Sequence, residues 1–440
     1  MSSGSSFLFL QTSFSMYLPA TTKFGTLRGN AYLILKLDIH DGEMLIGVVG
    51  KTNVGKTTFF SAATLVDAAR ENRPFVTIEP NEGIGYVRVK SVCTEFEVRC
   101  QPKYVWCNGT HRFVPVKLLD VAGLVRGAHK GRGLGNKFLD DLRRASVNII
   151  VVDASGSTDD EGNPVPPFTH DPVEDVKIVK EEFSKWMASI IERAKGKIRG
   201  KLLSGASYDE AIYEVLTGLE ISREVVKEAL ESLSIKKSPL DLTIDELQEL
   251  SNEILRRGKP FVIAANKIDI SGAQKNLERL RSSFEEPVIP VSAEAELILR
   301  KASKAGLIRY EPGDRDFEII DEAKLSEPQL KVLKMIRERV LNEFGSTGVQ
   351  DTLEVSVFNV LGMKVVFPVE NETKLSDKDG NILPDAIILP RDGTVLDLAE
   401  KIHSEIANKA LHGIDVRNKM RISLDYELKH RDVVKIVTAR

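Results

Sequence analysis

Gly50-Lys51-Thr52-Asn53-Val54-Gly55-Lys56-Thr57 is the stretch on which the reading of this chain turns. It follows an apolar run, Leu45-Ile46-Gly47-Val48-Val49, and leads into Thr58-Phe59-Phe60-Ser61-Ala62-Ala63. Strand, glycine loop and helix are the context that makes the spacing G-x-x-x-x-G-K-T a phosphate-cradling loop. The glycines let the backbone wrap with its N–H groups inward, at a helix N-terminus that favours anions. Asn53, Val54, Gly55, Lys56, Thr57 and Thr58 are expected to line a polyphosphate. Lys56 should reach the outer phosphates, and the Thr57 hydroxyl should ligate Mg²⁺.

Three further elements follow in order. The loop Asn72-Arg73-Pro74-Phe75-Val76-Thr77-Ile78-Glu79-Pro80-Asn81 offers Thr77 as a second Mg²⁺ ligand. A strand at Phe113–Leu119 ends in Asp120-Val121-Ala122-Gly123, a D-x-x-G element. There Asp120 would hold Mg²⁺ through water and the Gly123 N–H would contact the terminal phosphate. A strand at Pro260–Ala265 ends in Asn266-Lys267-Ile268-Asp269. A carboxylate at Asp269 matches the N1–H and exocyclic amine of guanine; adenine offers no such donors and would leave the acid badly paired. Asn266 is expected to hold the base edge and tie to the phosphate loop, and the Lys267 stem to cover the base. Backbone N–H groups of Ser292-Ala293-Glu294 are expected to meet the guanine oxygen.

Composition narrows the rest. A chain of 440 residues implies two or three domains. A formal net charge of −3 excludes a polycation wrapped on nucleic acid, and no DNA partner is expected. No run reaches a membrane-spanning length. Cys93, Cys100 and Cys107 fall in one short region, an odd set that fits a reducing cytoplasm. With His111 they could hold zinc, though the tight C-x2-C pair is missing; small residues in strands and a hairpin are the alternative. Residues 1–43 are Ser-, Thr- and Gly-rich and read as an extension outside the fold, with Met44 a natural start.

The expected organisation is α/β: a nucleotide domain in two parts, 44–169 and 258–305, split by a helical, coiled-coil-like insertion at 170–257. Asp171-Pro172 should start the insertion, with Val176, Val179, Phe183, Trp186 and Ile190 as an apolar stripe. Strands are also expected at Gly85–Lys90 and Glu95–Arg99, and a helix at Asn136–Ala145. A connecting segment, 306–355, carries a helix at 326–344. Residues 356–440 should form a β-grasp module, with strands near 356–360, 364–369, 386–389, 412–417, 420–424 and 433–437. Its helix is capped by Thr394 and Asp397, with core positions Leu398, Ile402 and Ile406. Lys409, Arg417, Lys419, Arg421, Lys429, Arg431, Lys435 and Arg440 give that end a basic excess, read as an RNA-binding face or a merely solvated one.

With these residues in view, the chain resembles the Obg-related GTPase family, and within it the YchF-type branch. The resemblance rests on Gly50–Thr57, on the Pro74–Asn81 run, on Asp120-Val121-Ala122-Gly123-Leu124-Val125 and on Gly131-Arg132-Gly133-Leu134-Gly135-Asn136-Lys137-Phe138-Leu139. It implies a P-loop G domain with a mostly parallel sheet between helices, a helical insertion, and a terminal module similar to TGS domains, with an Ile402-His403 pair like theirs. It also implies GTP and GDP as ligands, Mg²⁺, and a ribosome or RNA partner met through the insertion and the basic end. Several family members bind ATP through a degenerate base-reading element; the intact Asn266–Asp269 element here favours GTP and leaves ATP as the alternative. Leu124 stands where many GTPases place the glutamine that orients water, so unaided hydrolysis should be slow. His129, Arg126 or Arg132 could assist, as could K⁺ held at Asn53. The contrasting reading is a nucleotide-gated binding module with negligible turnover.

Overall fold

The computed structural model describes residues 44–64, 81–103, 106–121, 141, 143–219 and 221–439. Thr77, Gly123, Leu124, Arg126, His129, Arg132, the Asn136 end of the expected helix and residues 1–43 lie outside the described residues.

Strands β1 (Leu45–Val49), β2 (Glu82–Lys90), β3 (His111–Asp120), β4 (Val147–Asp153), β5 (Phe261–Asn266) and β6 (Val288–Pro290) form one sheet in the order β2-β3-β1-β4-β5-β6. All neighbours are parallel except β2, which pairs antiparallel with β3 at the edge. Every residue of β1, β4 and β5 is buried, as a parallel sheet covered on both faces requires. The chain places β3 on one side of β1 and β4 on the other, so the order reverses at β1. The crevice beyond the carboxyl end of such a switch point is where open α/β sheets bind ligands.

Alternate strand residues feed two cores. Ile46, Val48, Ile149 and Val262 point to a layer with α1 (Lys56–Thr64) and the start of α8 (Ala293–Lys304). Leu45, Val49, Ile150 and Ile263 point to the opposite layer, with α2 (Pro172–Arg193), α6 (Ile244–Gly258) and α7 (Ala273–Ser283). Asp171 caps α2 by accepting from the Val173 N–H at 3.1 Å, with Pro172 in the first turn, and Thr243 and Glu246 form the capping box of α6.

The coiled-coil-like insertion needs correction. Val176, Val179 and Phe183 are buried in the core that includes the sheet, and the Phe183 ring meets Phe261 of β5 edge-on at 6.3 Å and stacks on Trp186 at 5.6 Å. Helices α3 (Lys195–Leu203), α4 (Tyr208–Leu216) and α5 (Arg223–Ser232) add Ile198, Ile212 and Val226 to the same core. The stripe packs on helix α6 as well as on the sheet, so the helical insertion is a wall of the nucleotide domain and not a separate coiled coil. Among the described residues, no helix is long and apolar enough to cross a membrane.

Two expected strands are absent. At Glu95–Arg99 the Ser91 hydroxyl accepts from the Cys93 N–H and starts a short helical turn, Val92–Thr94, and Glu97 adopts φ 53°. Phe96 and Val98 still pack on the core, so alternation reported burial and not a strand. Near 356–360, α10 (Val349–Glu354) runs on as a wide helical turn through Val355–Val360. Its β-branched residues read as strand, but Thr352 and Ser356 return their hydroxyls to carbonyls one turn back, and Val357 is buried. The helix before it, α9 (Glu327–Ile336), follows a small pair, β7 (Ile308–Arg309) and β8 (Glu318–Ile319), and starts where expected, at Ser326, which forms a capping box with Gln329.

The terminal module is a second sheet of β9 (Lys364–Val369), β10 (Ile387–Leu389), β11 (Ala410–Asp415), β12 (Met420–Ile422) and β13 (Val433–Thr438), ordered β10-β9-β13-β11-β12. Its central pair, β9 and β13, is parallel, and α11 (Val395–Ile402) packs on it, as in a β-grasp. The single expected helix breaks at His403, whose backbone is extended and whose Nδ1 accepts from the Glu405 N–H at 3.1 Å to start α12 (Ser404–Lys409).

Replacing Phe183 with Ala should cost about 3–5 kcal/mol. Because its core is shared with the sheet, that loss should appear in the same urea transition that abolishes nucleotide binding. A separate, earlier transition would mark the helices as an independent unit.

Candidate functional site

The phosphate loop leaves β1 buried and enters α1 through two left-handed residues, Asn53 at φ 64° and Gly55 at φ 90°. The Gly55 carbonyl accepts the first helical bond, from the Phe59 N–H at 2.8 Å. A Cβ on Gly55 would fall on the side-chain nitrogen of Asn266. The glycine is therefore needed twice, for its backbone angle and for that approach. Thr57 is exposed and Thr58 partly so, in the first turn of α1. Lys56 is ion-paired with Asp120, at the end of β3, with side chains 13% and 20% exposed. These residues arrive from two strands, as the sequence order required. The Thr57 hydroxyl and the Asp120 carboxylate are hard oxygen donors and suit Mg²⁺.

The base-reading residues also converge. Asn266 is nearly fully buried; its Nδ2 donates to the Val54 carbonyl at 2.9 Å and its Oδ1 accepts from the Ala293 N–H at 3.0 Å. Asp269 accepts from the Ser292 hydroxyl at 2.7 Å. Withdrawal from water raises the Asp269 carboxyl above its usual range, against the pull of that hydroxyl. Glu294 lies in the first turn of α8. One expectation changes here. The Ser292 N–H donates to the Thr347 carbonyl at 2.9 Å and the Ala293 N–H to Asn266, so two of the three amides assigned to the guanine oxygen have internal partners.

Lys267, at φ 62°, does not lie free over the pocket; its ammonium meets Asp153 at 2.7 Å. Asp153 closes β4 opposite Asn266 and also accepts from Ser155 at 2.5 Å, Ser157 at 2.8 Å and Thr158. Burial would raise this carboxyl, but Lys267 and the hydroxyls outweigh it and hold it below its usual range. Asp153 was missed; an acid at the carboxyl end of a buried parallel strand was the available signal. Lys51 was missed too. It is buried in the phosphate loop, donating to Asp175 of α2 at 2.9 Å and to the Thr158 carbonyl at 2.8 Å. His170 Nε2 contacts the same Asp175 oxygen at 2.8 Å. Of the four residues considered for zinc, Cys93, Cys100 and Cys107 converge, but His111 stands apart beside Arg88 and Asp314.

The sequence profile of the Obg-like GTPase YGR210-like, G4 motif-containing domain matches residues 264–371. That of the 50S ribosome-binding GTPase matches 45–190, and that of the TGS domain 379–438. A GTP-binding protein of Methanocaldococcus jannaschii is 45% identical over 396 residues, 90% of this chain and 99% of the relative. The chain belongs to the Obg-like GTPase family. As an Obg-like GTPase it is a P-loop nucleoside-triphosphate hydrolase with a G domain and a terminal TGS domain. The crystal structure of a GTP-binding protein from Pyrococcus horikoshii OT3 matches this Obg-like chain with a TM-score of 0.71 at 37% identity, covering 90% of this chain and 100% of that one. A ribosome-binding ATPase, YchF, of Mycoplasma pneumoniae is 33% identical over 235 residues, 52% of this chain and 59% of that protein.

Gly55→Ala should abolish triphosphate binding, measured by calorimetry, while leaving the far-ultraviolet circular dichroism unchanged. A second expectation concerns pH. Guanine donors favour the ionised Asp269, so binding lowers its raised pKa and releases a proton. GTP affinity should therefore hold above the free-protein pKa and fall as pH drops through it, approaching about tenfold per pH unit. In Asp269→Asn that dependence should vanish.

Proposed function

We propose that this Obg-like protein is a guanine-selective, Mg²⁺-dependent GTPase switch that works on a ribosome in the cytoplasm. The observation that carries the base choice is the Asn266–Asp269–Ser292 arrangement: a carboxylate held by Ser292 and an amide bolted to the Val54 carbonyl. Adenine would leave that carboxylate without donors. ATP remains the second reading, because the related mycoplasma protein is named an ATPase.

With a triphosphate bound, Lys56 would exchange its bond to Asp120 for the outer phosphates, leaving Asp120 and Thr57 as the residues that would hold the metal. Bound Mg²⁺ would neutralise charge on the phosphates during transfer. Lys51 and Asn53 hold the loop to the segment after β4, since Asn53 Nδ2 donates to the Gly162 carbonyl at 2.9 Å. That bond leaves the Asn53 oxygen as the group for a stimulating K⁺. Thr77 would complete the Mg²⁺ ligands and Gly123 would contact the terminal phosphate. Leu124 supplies no hydrogen bond to an attacking water, so His129, Arg126, Arg132 or the cation must help. Leu124 also keeps alive the reading of a switch with negligible turnover.

The ribosomal partner is supported by the matched ribosome-binding GTPase profile and by exposed Lys409, Lys419, Arg421 and Lys429 on the terminal module. Arg417, Arg431 and Lys435, counted in the same basic excess, are spent on Glu95, Asp432 and Glu372. The basic face is therefore narrower than composition suggests.

Competition of GTP and ATP against a fluorescent GTP analogue tests the base choice. GTP should win, and Asp269→Asn should weaken it by about 100-fold. Preference for ATP in the native protein would overturn the assignment. Single-turnover hydrolysis with and without ribosomes, in K⁺ and in Na⁺, separates a GTPase from a binding module. Equal rates in the two salts would remove K⁺.

A further inference from the structure

All three cysteines of the chain meet at one point, although six residues separate each from the next. Their sulfurs lie within 4.8 Å of one another, and Cys93 and Cys107 stand 3.9 Å apart. Four-coordinate zinc holds thiolates at about 2.3 Å, which spaces tetrahedral sulfurs about 3.8 Å apart. Three pieces of chain bring them there: the Ser91-capped turn carries Cys93, the irregular segment after it carries Cys100, and Cys107 bridges Arg112 across the turn that enters β3.

A second observation comes from the neighbour. Arg112 is 1% exposed, and its guanidinium sits beside Cys100 and Cys107. Its Nη2 donates to the Pro384 carbonyl at 2.6 Å, but its Nε has no hydrogen-bond partner. A buried cation with an unused donor calls for an anion. Asp385 supplies part of that charge, although burial raises its own carboxyl, and neutral thiols add none. Three thiolates around a divalent cation leave one net negative charge, which the guanidinium balances.

We infer that Cys93, Cys100 and Cys107 form a three-thiolate site for a zinc-class divalent cation, with Arg112 as its buried counter-charge. A water or small exogenous ligand completes the fourth position. Uptake forms three metal–sulfur bonds and releases the thiol protons to solvent; nothing is oxidised or reduced. The site lies where the β2–β3 hairpin meets the terminal module: the Gln101 N–H donates to the Ile382 carbonyl at 2.8 Å and the Lys103 N–H to Pro384 at 3.2 Å. The metal would fasten that joint. It is remote in sequence from the phosphate loop and does not depend on the proposed base choice.

The test is a cobalt titration of the full chain, purified under reducing conditions and stripped of metal. One equivalent of Co²⁺ should give thiolate-to-cobalt charge-transfer bands and the intense d–d bands of a tetrahedral site, and Zn²⁺ should bleach them. Cys100→Ser should remove the charge-transfer bands or weaken binding at least tenfold, while His111→Ala should leave them unchanged. Nucleotide binding measured on the same samples reports whether each variant is folded. Absence of the bands in the native protein would overturn the site, with no variant needed. Bands that survive in Cys100→Ser, or a Cys93–Cys107 disulfide found in the freshly isolated protein, would also overturn it.

Discussion

One side-chain amide holds the nucleotide site together. Asn266 donates to the carbonyl of Val54 and accepts from the N–H of Ala293, joining the loop after β1 to the loop after β6 through the end of β5. β1 neighbours neither β5 nor β6, so no backbone ladder could tie the phosphate loop to them. The amide is buried, and an unpaired buried amide costs about 1–3 kcal/mol, so each partner is fixed by the other. The requirement reaches Gly55, whose missing side chain is what admits the Asn266 nitrogen. Phosphate cradle and base reader are therefore one rigid unit.

The unit is tied outward on two sides. Lys51 and Asn53 reach to Asp175 and Gly162, so the segment after β4 and the start of α2 are braced on the phosphate loop. On the other side, Ser292 leans on Thr347, whose hydroxyl donates to buried Glu296 at 2.5 Å, with the Tyr310 hydroxyl donating to the same oxygen at 2.6 Å. Burial raises the Glu296 carboxyl, against the pull of the Arg300 guanidinium and of those two hydroxyls. Gly348 follows at φ 80°, pressed onto the Pro290 carbonyl so closely that no side chain fits. The base-reading loop and the helix leading to the terminal module thus share a contact surface.

How much of this was legible beforehand follows from the range of each interaction. The phosphate loop, Asp120 and the Asn266–Asp269 element are local: the residues that do the chemistry are adjacent in sequence, and strand or helix context fixes where they point. Helix starts at Asp171 and Thr394 were legible for the same reason. Failures came where tertiary packing decided. Val355–Val360 has strand composition, yet its preceding turn is buried on the sheet, and helix followed. The stripe on α2 does pack on a helix, α6, but its period cannot say that the sheet covers it as well. Lys267 could be placed at the pocket but not on Asp153, because that bond joins residues 114 apart in sequence.

The β2–β3 hairpin ties these parts into one mechanical argument. At one end, Asp120 meets Lys56; at the other lie His111 and the cysteine-bearing turns. Nine paired positions run from Glu82 to Lys90, a span of about 27 Å in an antiparallel ribbon. Its outer edge would be open to pairing, but α10 covers it, with Glu354 accepting from the Arg88 N–H at 3.2 Å and Gln350 donating to the Tyr86 carbonyl at 2.9 Å. A ribbon paired on one side and clamped on the other bends little along its length. Its far end carries Glu95, gripped by Arg417 and Arg431 of the terminal module. Exposed ion pairs alone are weak fasteners, worth about 0–1 kcal/mol each. The backbone bonds to Ile382 and Pro384 add direction, so the module is fixed to the hairpin whose other end carries Asp120.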